Sequence, residues 1–173
     1  KELQKIIGKL TSEKKKTIMK PNRRNPGRKD LYGNKRDVKN EILVITDESG
    51  SVSDKDEAKA LSEIISLCQM FKIEVDLIRV DTQASDIIKL NKNSIKYSRI
   101  KSGGTYLSSA IEKIKKDYDV IIVLTDGELQ NKDIKNFEFI NKEIIWLIIN
   151  KSDVSESFNT KRMRKIHIKN FKG

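Results

Sequence analysis

Glu41-Ile42-Leu43-Val44-Ile45-Thr46-Asp47-Glu48-Ser49-Gly50-Ser51 decides how this chain reads. Four consecutive apolar residues, three of them β-branched, suit a strand covered on both faces, as in a parallel sheet. The run stops at Thr46-Asp47 and gives way to a polar turn, Asp-x-Ser-x-Ser. Working outward, Ala58, Leu61, Ile64, Ile65, Cys68 and Phe71 recur at helical spacing and predict a helix over about 54–71, capped by Ser53 or Asp54. Ile73 to Val80 reads as a second strand, and Ile87, Ile88 and Leu90 as a short third. Leu107, Ala110, Ile111 and Ile114 form the stripe of another helix. Val120 to Leu124 is a second continuous apolar run, ending at Thr125-Asp126-Gly127. Ile144 to Ile149 is a further strand, and Lys165 to Ile168 a last edge strand. Apolar strands separated by helices predict a doubly wound, mostly parallel α/β sheet with helices on both faces.

In such a sheet ligands bind beyond the carboxyl ends of the strands. Asp47 and Asp126 each follow such an end, which puts them on one edge although 79 positions separate them. A third piece, Gly103-Gly104-Thr105, is a glycine loop feeding a helix. Carboxylates from Asp47 and Asp126, with hydroxyls from Ser49, Ser51 and Thr105, make an all-oxygen donor set. That set suits Mg²⁺, or Mn²⁺, and does not suit zinc. Two carboxylates neutralise one divalent ion and three hydroxyls add no charge. Such a site is suited to accepting an acidic side chain from outside.

These three pieces, in this order, resemble the metal-ion-dependent adhesion site of von Willebrand factor A (VWA) domains, over about residues 41–150. Lys20-Pro21-Asn22-Arg23-Arg24, Val80-Asp81-Thr82 and the short spacing from Asp47 to Thr105 are similar to a bacterial VWA-like group. In that group the domain forms the C-terminal half of proteins described as metallopeptidases. The resemblance implies that Ser49, Ser51 and Thr105 touch the metal directly, and that Asp47 and Asp126 act directly or through water. It implies a larger parent protein and an AAA+ ATPase as a partner. Two departures stand out: Glu48, an extra acid able to compete as an internal ligand, and Tyr106, where close relatives tend to carry an acid.

Composition bounds the alternatives. The 173 residues carry 36 Lys+Arg and 25 Asp+Glu, a formal +11. Residues 1–40 hold 14 of the bases and 4 of the acids, together with both prolines; residues 41–173 are nearly neutral. The expected organisation is therefore a basic N-terminal arm over 1–40 and a VWA-like domain over 41–173. Leu3, Ile6, Ile7 and Leu10 predict a short amphipathic helix in the arm, within residues 1–19. Lys20 to Lys29 reads as a turn-rich basic stretch without regular structure. The arm could contact nucleic-acid phosphates, but Tyr32 is its only stacking side chain, which argues against sequence-specific recognition.

No apolar run is long enough to span a bilayer as a helix, so no membrane role is expected. One cysteine, Cys68, excludes an internal disulfide and points to a reducing, cytoplasmic compartment. One histidine, His167, excludes a His-x-x-x-His zinc centre and leaves Ser49 and Ser51 without a base for hydrolase chemistry. An aspartyl-phosphate mechanism at Asp47 lacks the second acid, because position 49 is Ser. The expected function is a Mg²⁺-dependent protein-binding module and not an enzyme. Cys68 and Trp146 are expected in the core, and Lys115-Lys116 at a solvated helix end.

Overall fold

The structure, a computed structural model, describes residues 3–5, 7–8, 14–36, 41–48, 54–90, 106–127, 131–149 and 163–167. Its main sheet has six strands: β3 (Glu41–Asp47), β4 (Glu74–Val80), β5 (Ile88–Lys89), β6 (Val120–Thr125), β7 (Glu143–Ile148) and β8 (Met163–His167). Their order is β5-β4-β3-β6-β7-β8. All neighbours are parallel except the β4–β5 edge pair. This is the doubly wound, mostly parallel α/β fold expected from the apolar runs.

Three helices follow in the chain: α1 (Asp54–Phe71), α2 (Ser108–Lys113) and α3 (Asn131–Glu138). Strand alternation divides the core into two layers. On one face Ile42, Val44, Leu77, Ile122 and Leu124 meet Leu61, Ile64 and Cys68 of α1. Leu3 and Ile7, both buried and in helical backbone, pack into this same layer. On the other face Leu43, Ile45, Ile121, Val123 and Trp146 meet Leu107 and Ala110 beside α2, and Ile134 and Phe137 of α3. Trp146 is fully buried and packs edge-on against Phe137, with ring centroids 5.3 Å apart. Cys68 is buried as expected, and burial pushes its thiol up to about 12.

α1 closes with a Schellman turn: Ile73 N–H donates to Cys68 O at 2.9 Å and Lys72 N–H to Gln69 O at 3.2 Å. Lys72 occupies the left-handed position with φ 56°, where glycine is the usual residue.

Three details differ from the sequence reading. Within residues 1–19 the helix gives way to β1 (Lys14–Pro21), which pairs antiparallel with β2 (Tyr32–Arg36) in a separate two-stranded ribbon. Residues 22–31 form its tip through successive turns, with backbone bonds Asn25 N–H to Asn22 O, Arg28 N–H to Asn25 O and Leu31 N–H to Arg28 O. Gly33 is demanded where the strands close, since a Cβ there would lie 2.1 Å from Lys20 O. Secondly, α2 ends at Lys113, so Lys115-Lys116 is not a helix end. Lys116 instead spans to Glu41 at 2.9 Å and Asp76 at 3.5 Å, and Asp76 also accepts the Tyr118 hydroxyl at 2.8 Å. Thirdly, α3 was not anticipated. His167 ends β8, where its backbone pairs with Ile148.

Candidate functional site

The registers of β3 and β6 run side by side, with Thr46 opposite Leu124, so Asp47 and Thr125 reach the carboxyl edge together. Both lie on the α2–α3 face of their strands and both are buried. The Thr125 hydroxyl donates to Asp47 Oδ2 at 3.1 Å and stands 3.5 Å from Asp126 Oδ1. A hydroxyl carries one proton, so the nearer Asp47 is its acceptor and the Asp126 approach is the weaker contact. Thr125 Oγ1 in turn accepts the Gly127 N–H at 3.2 Å. Gly127 has φ 96°, a conformation that glycine adopts without strain and that turns the chain at this edge. Thus the two aspartates from distant segments converge on one hydroxyl. Each is only 2% exposed.

The neighbouring strand end completes the described rim. Glu48 N–H donates to Val80 O at 2.8 Å, tying the start of the Asp-x-Ser-x-Ser turn to the end of β4. Arg79 Nη1 donates to Glu48 Oε1 at 2.8 Å, with side chains 14% and 7% exposed. The extra acid of the first motif is therefore engaged by a guanidinium on the next strand, and its Oε1 is not held in reserve as an internal metal ligand. Tyr106, the residue after Thr105, donates its N–H to Asp81 O at 3.0 Å, which anchors the start of the α2 segment beside β4. Its side chain is half exposed.

A second buried network supports this geometry from below. Ser108 at the start of α2 donates its hydroxyl to Asp133 Oδ1 at 2.7 Å and its N–H to the same oxygen at 3.3 Å. Asn136 Nδ2 donates to Ser108 Oγ at 2.8 Å. α3 thereby clamps the first turn of α2, three residues beyond Thr105, with an acid placed favourably at a helix start.

Of the five site residues expected from the sequence, Asp47 and Asp126 are brought together; Ser49, Ser51 and Thr105 lie outside the described residues. Thr125 and Arg79 were missed. Thr125 stood inside the quoted Thr-Asp-Gly motif, and Arg79 was a charge within an apolar strand, which itself signals a buried partner. Among the described residues no group of three or more His, Cys, Asp or Glu forms a ready metal cage.

A mostly parallel α/β sheet with Asp47 and Asp126 together at its carboxyl edge is the frame of a VWA-type domain. The chain belongs to the VWA-like domain family (DUF2201), whose profile matches residues 42–164. Among solved structures it is similar to one titled "Crystal Structure of the SpRpn10 VWA domain", at 14% identity and a TM-score of 0.51. That match covers 74% of this chain and 88% of the other, and at this identity it speaks for the fold alone. No curated protein matches.

Proposed function

We propose that this VWA-like domain is a Mg²⁺-dependent protein-binding module that takes an acidic side chain of its partner as a metal ligand. The observation that carries the reading is the convergence of Asp47 and Asp126 on the Thr125 hydroxyl. Two buried carboxylates that approach one hydroxyl are a setting in which a bound cation favours their charged forms, and this supports the reading. Its side-chain donors are all oxygen, which fits a hard divalent ion. Asp47 and Asp126 would hold it, directly or through water, with Ser49, Ser51 and Thr105 as the neutral donors. Once bound, the ion supplies a Lewis-acid position for a carboxylate from outside.

The chain's own residues do the rest. Thr125 orients Asp47, Gly127 turns the chain directly after Asp126, and the Glu48–Arg79 pair ties the residue after Asp47 to β4. Arg79 engages Glu48, so Asp47 and Asp126 are the carboxylates this reading assigns to the ion, and their combined formal charge equals that of one divalent cation. Cytoplasmic work beside an AAA+ ATPase, within a larger parent carrying a metallopeptidase half, extends the same proposal.

Thermal melting in MgCl₂, MnCl₂ and EDTA tests it, with a peptide library bearing Asp, Glu, Asn or Gln at a fixed position as the capture assay. Wild-type protein should gain stability with either metal and retain Asp or Glu peptides until EDTA is added, whereas Asp47→Asn should do neither. Capture unchanged in EDTA would reject the reading.

A further inference from the structure

We propose that the β1–β2 ribbon is a nucleic-acid-binding arm that grips the phosphate backbone without reading sequence. Residues 14–36 carry ten Lys or Arg against the single acid Asp30. That acid is already taken: Arg28 Nε donates to Asp30 Oδ1 at 3.0 Å, and the guanidinium holds its carboxyl below the ordinary range. The ribbon shares no ladder with the main sheet. Its register places Lys14 opposite Arg36 and Lys15 opposite Lys35.

The tip is organised as well as charged. Asn22 Oδ1 accepts the Arg24 N–H at 2.9 Å, Asn22 Nδ2 donates to Tyr32 O at 3.3 Å, and three successive backbone turns carry Arg23, Arg24, Arg28 and Lys29 around to β2. All four are exposed, as are Met19 and Tyr32. Exposed cations gathered along this ribbon suit a dense polyanion, and a nucleic-acid duplex carries one charge every ~1.7 Å along its axis. A protein partner seldom offers acids at that density. A single aromatic, Tyr32, gives one stacking surface and no base-edge code, consistent with sequence-independent contact.

The test is fluorescence anisotropy of the full chain with labelled single-stranded RNA, single-stranded DNA and duplex DNA of mixed sequence, in EDTA. If about four duplex phosphates are neutralised, affinity should fall roughly 100-fold between about 50 and about 200 mM salt. Arg23→Gln/Arg24→Gln/Lys29→Gln, all exposed tip positions away from the core, should weaken binding more than about tenfold and flatten the salt dependence by about 2 to 3 in log–log slope. Different sequences should bind alike. Absence of binding at low salt, affinity indifferent to salt, or a triple variant that binds like wild type overturns the proposal. So does polyglutamate or a phosphatidylserine vesicle competing as well as the oligonucleotide, which would assign the arm to an acidic protein or a lipid surface. Because the binding is measured in EDTA, failure here leaves the metal-site reading untouched, and the reverse also holds.

Discussion

The Glu48–Arg79 ion pair yields the sharpest stability test. With side chains 7% and 14% exposed, neither charge is well solvated if its partner is removed. Arg79→Met keeps the aliphatic bulk but leaves the Glu48 carboxylate buried without its guanidinium, at a cost of about 3 kcal/mol. Glu48→Gln keeps a hydrogen-bond acceptor for Arg79 Nη1 and removes only the charge, costing about 1.5 kcal/mol. The double variant leaves no uncompensated charge and should be more stable than Arg79→Met alone. A coupling of about 1.5–2 kcal/mol is therefore expected from the cycle. Urea unfolding followed by Trp146 fluorescence measures all four proteins. In a chain of this size the Arg79→Met loss corresponds to about 6–12 °C in melting temperature. A coupling below about 0.5 kcal/mol, the range of solvent-exposed pairs, would refute the argument that this rim pair is structurally tied.

Thr125→Val removes the donor to Asp47 and should destabilise the protein by about 2 kcal/mol in EDTA, while Thr125→Ser should restore it; chemical denaturation distinguishes the two. Lys72→Gly, at a left-handed position, should stabilise by about 0.5–1 kcal/mol in the same assay, since only glycine sits there without strain. The buried Cys68 thiol stays protonated in the fold up to about 12, whereas an unfolded thiol ionises near 9.0. Above the lower value the native state holds more protons than the unfolded one, so stability should fall as pH rises from 9 toward 12. Cys68→Ala should flatten that slope in pH-dependent melts, and Ellman's reagent should reach the wild-type thiol only after denaturant is added.

What could be read from the sequence follows from the length and continuity of apolar runs. β3, β6 and β7 are buried on both faces, so their residues announce themselves, and because β3 and β6 are parallel neighbours, Asp47 and Asp126 come to the same edge. α1 was legible to its boundaries because Leu61, Ile64, Ile65 and Cys68, four residues of the apolar stripe, face the core. The ribbon was not, because Lys14-Lys15-Lys16-Thr17-Ile18-Met19-Lys20 has no alternating pattern and buries no face of its own; only Gly33 and the turn residues marked it. α3 escaped because Ile134 and Phe137 are its only buried apolar residues, too few to establish a period, and Asp133 is buried for a polar reason. Pairings such as Glu48 with Arg79 and Ser108 with Asp133 depend on which loops meet in three dimensions, and spacing along the chain carries no record of that.

The sheet's flanks bear on how this molecule behaves in concentrated solution. One outermost strand, β5, is two residues long and runs against its neighbour; the other, β8, carries Arg164 and Lys165. A brief border on one side and cations on the other discourage a second copy from extending the ladder. Amyloid-like stacking through this sheet is thereby disfavoured at both margins.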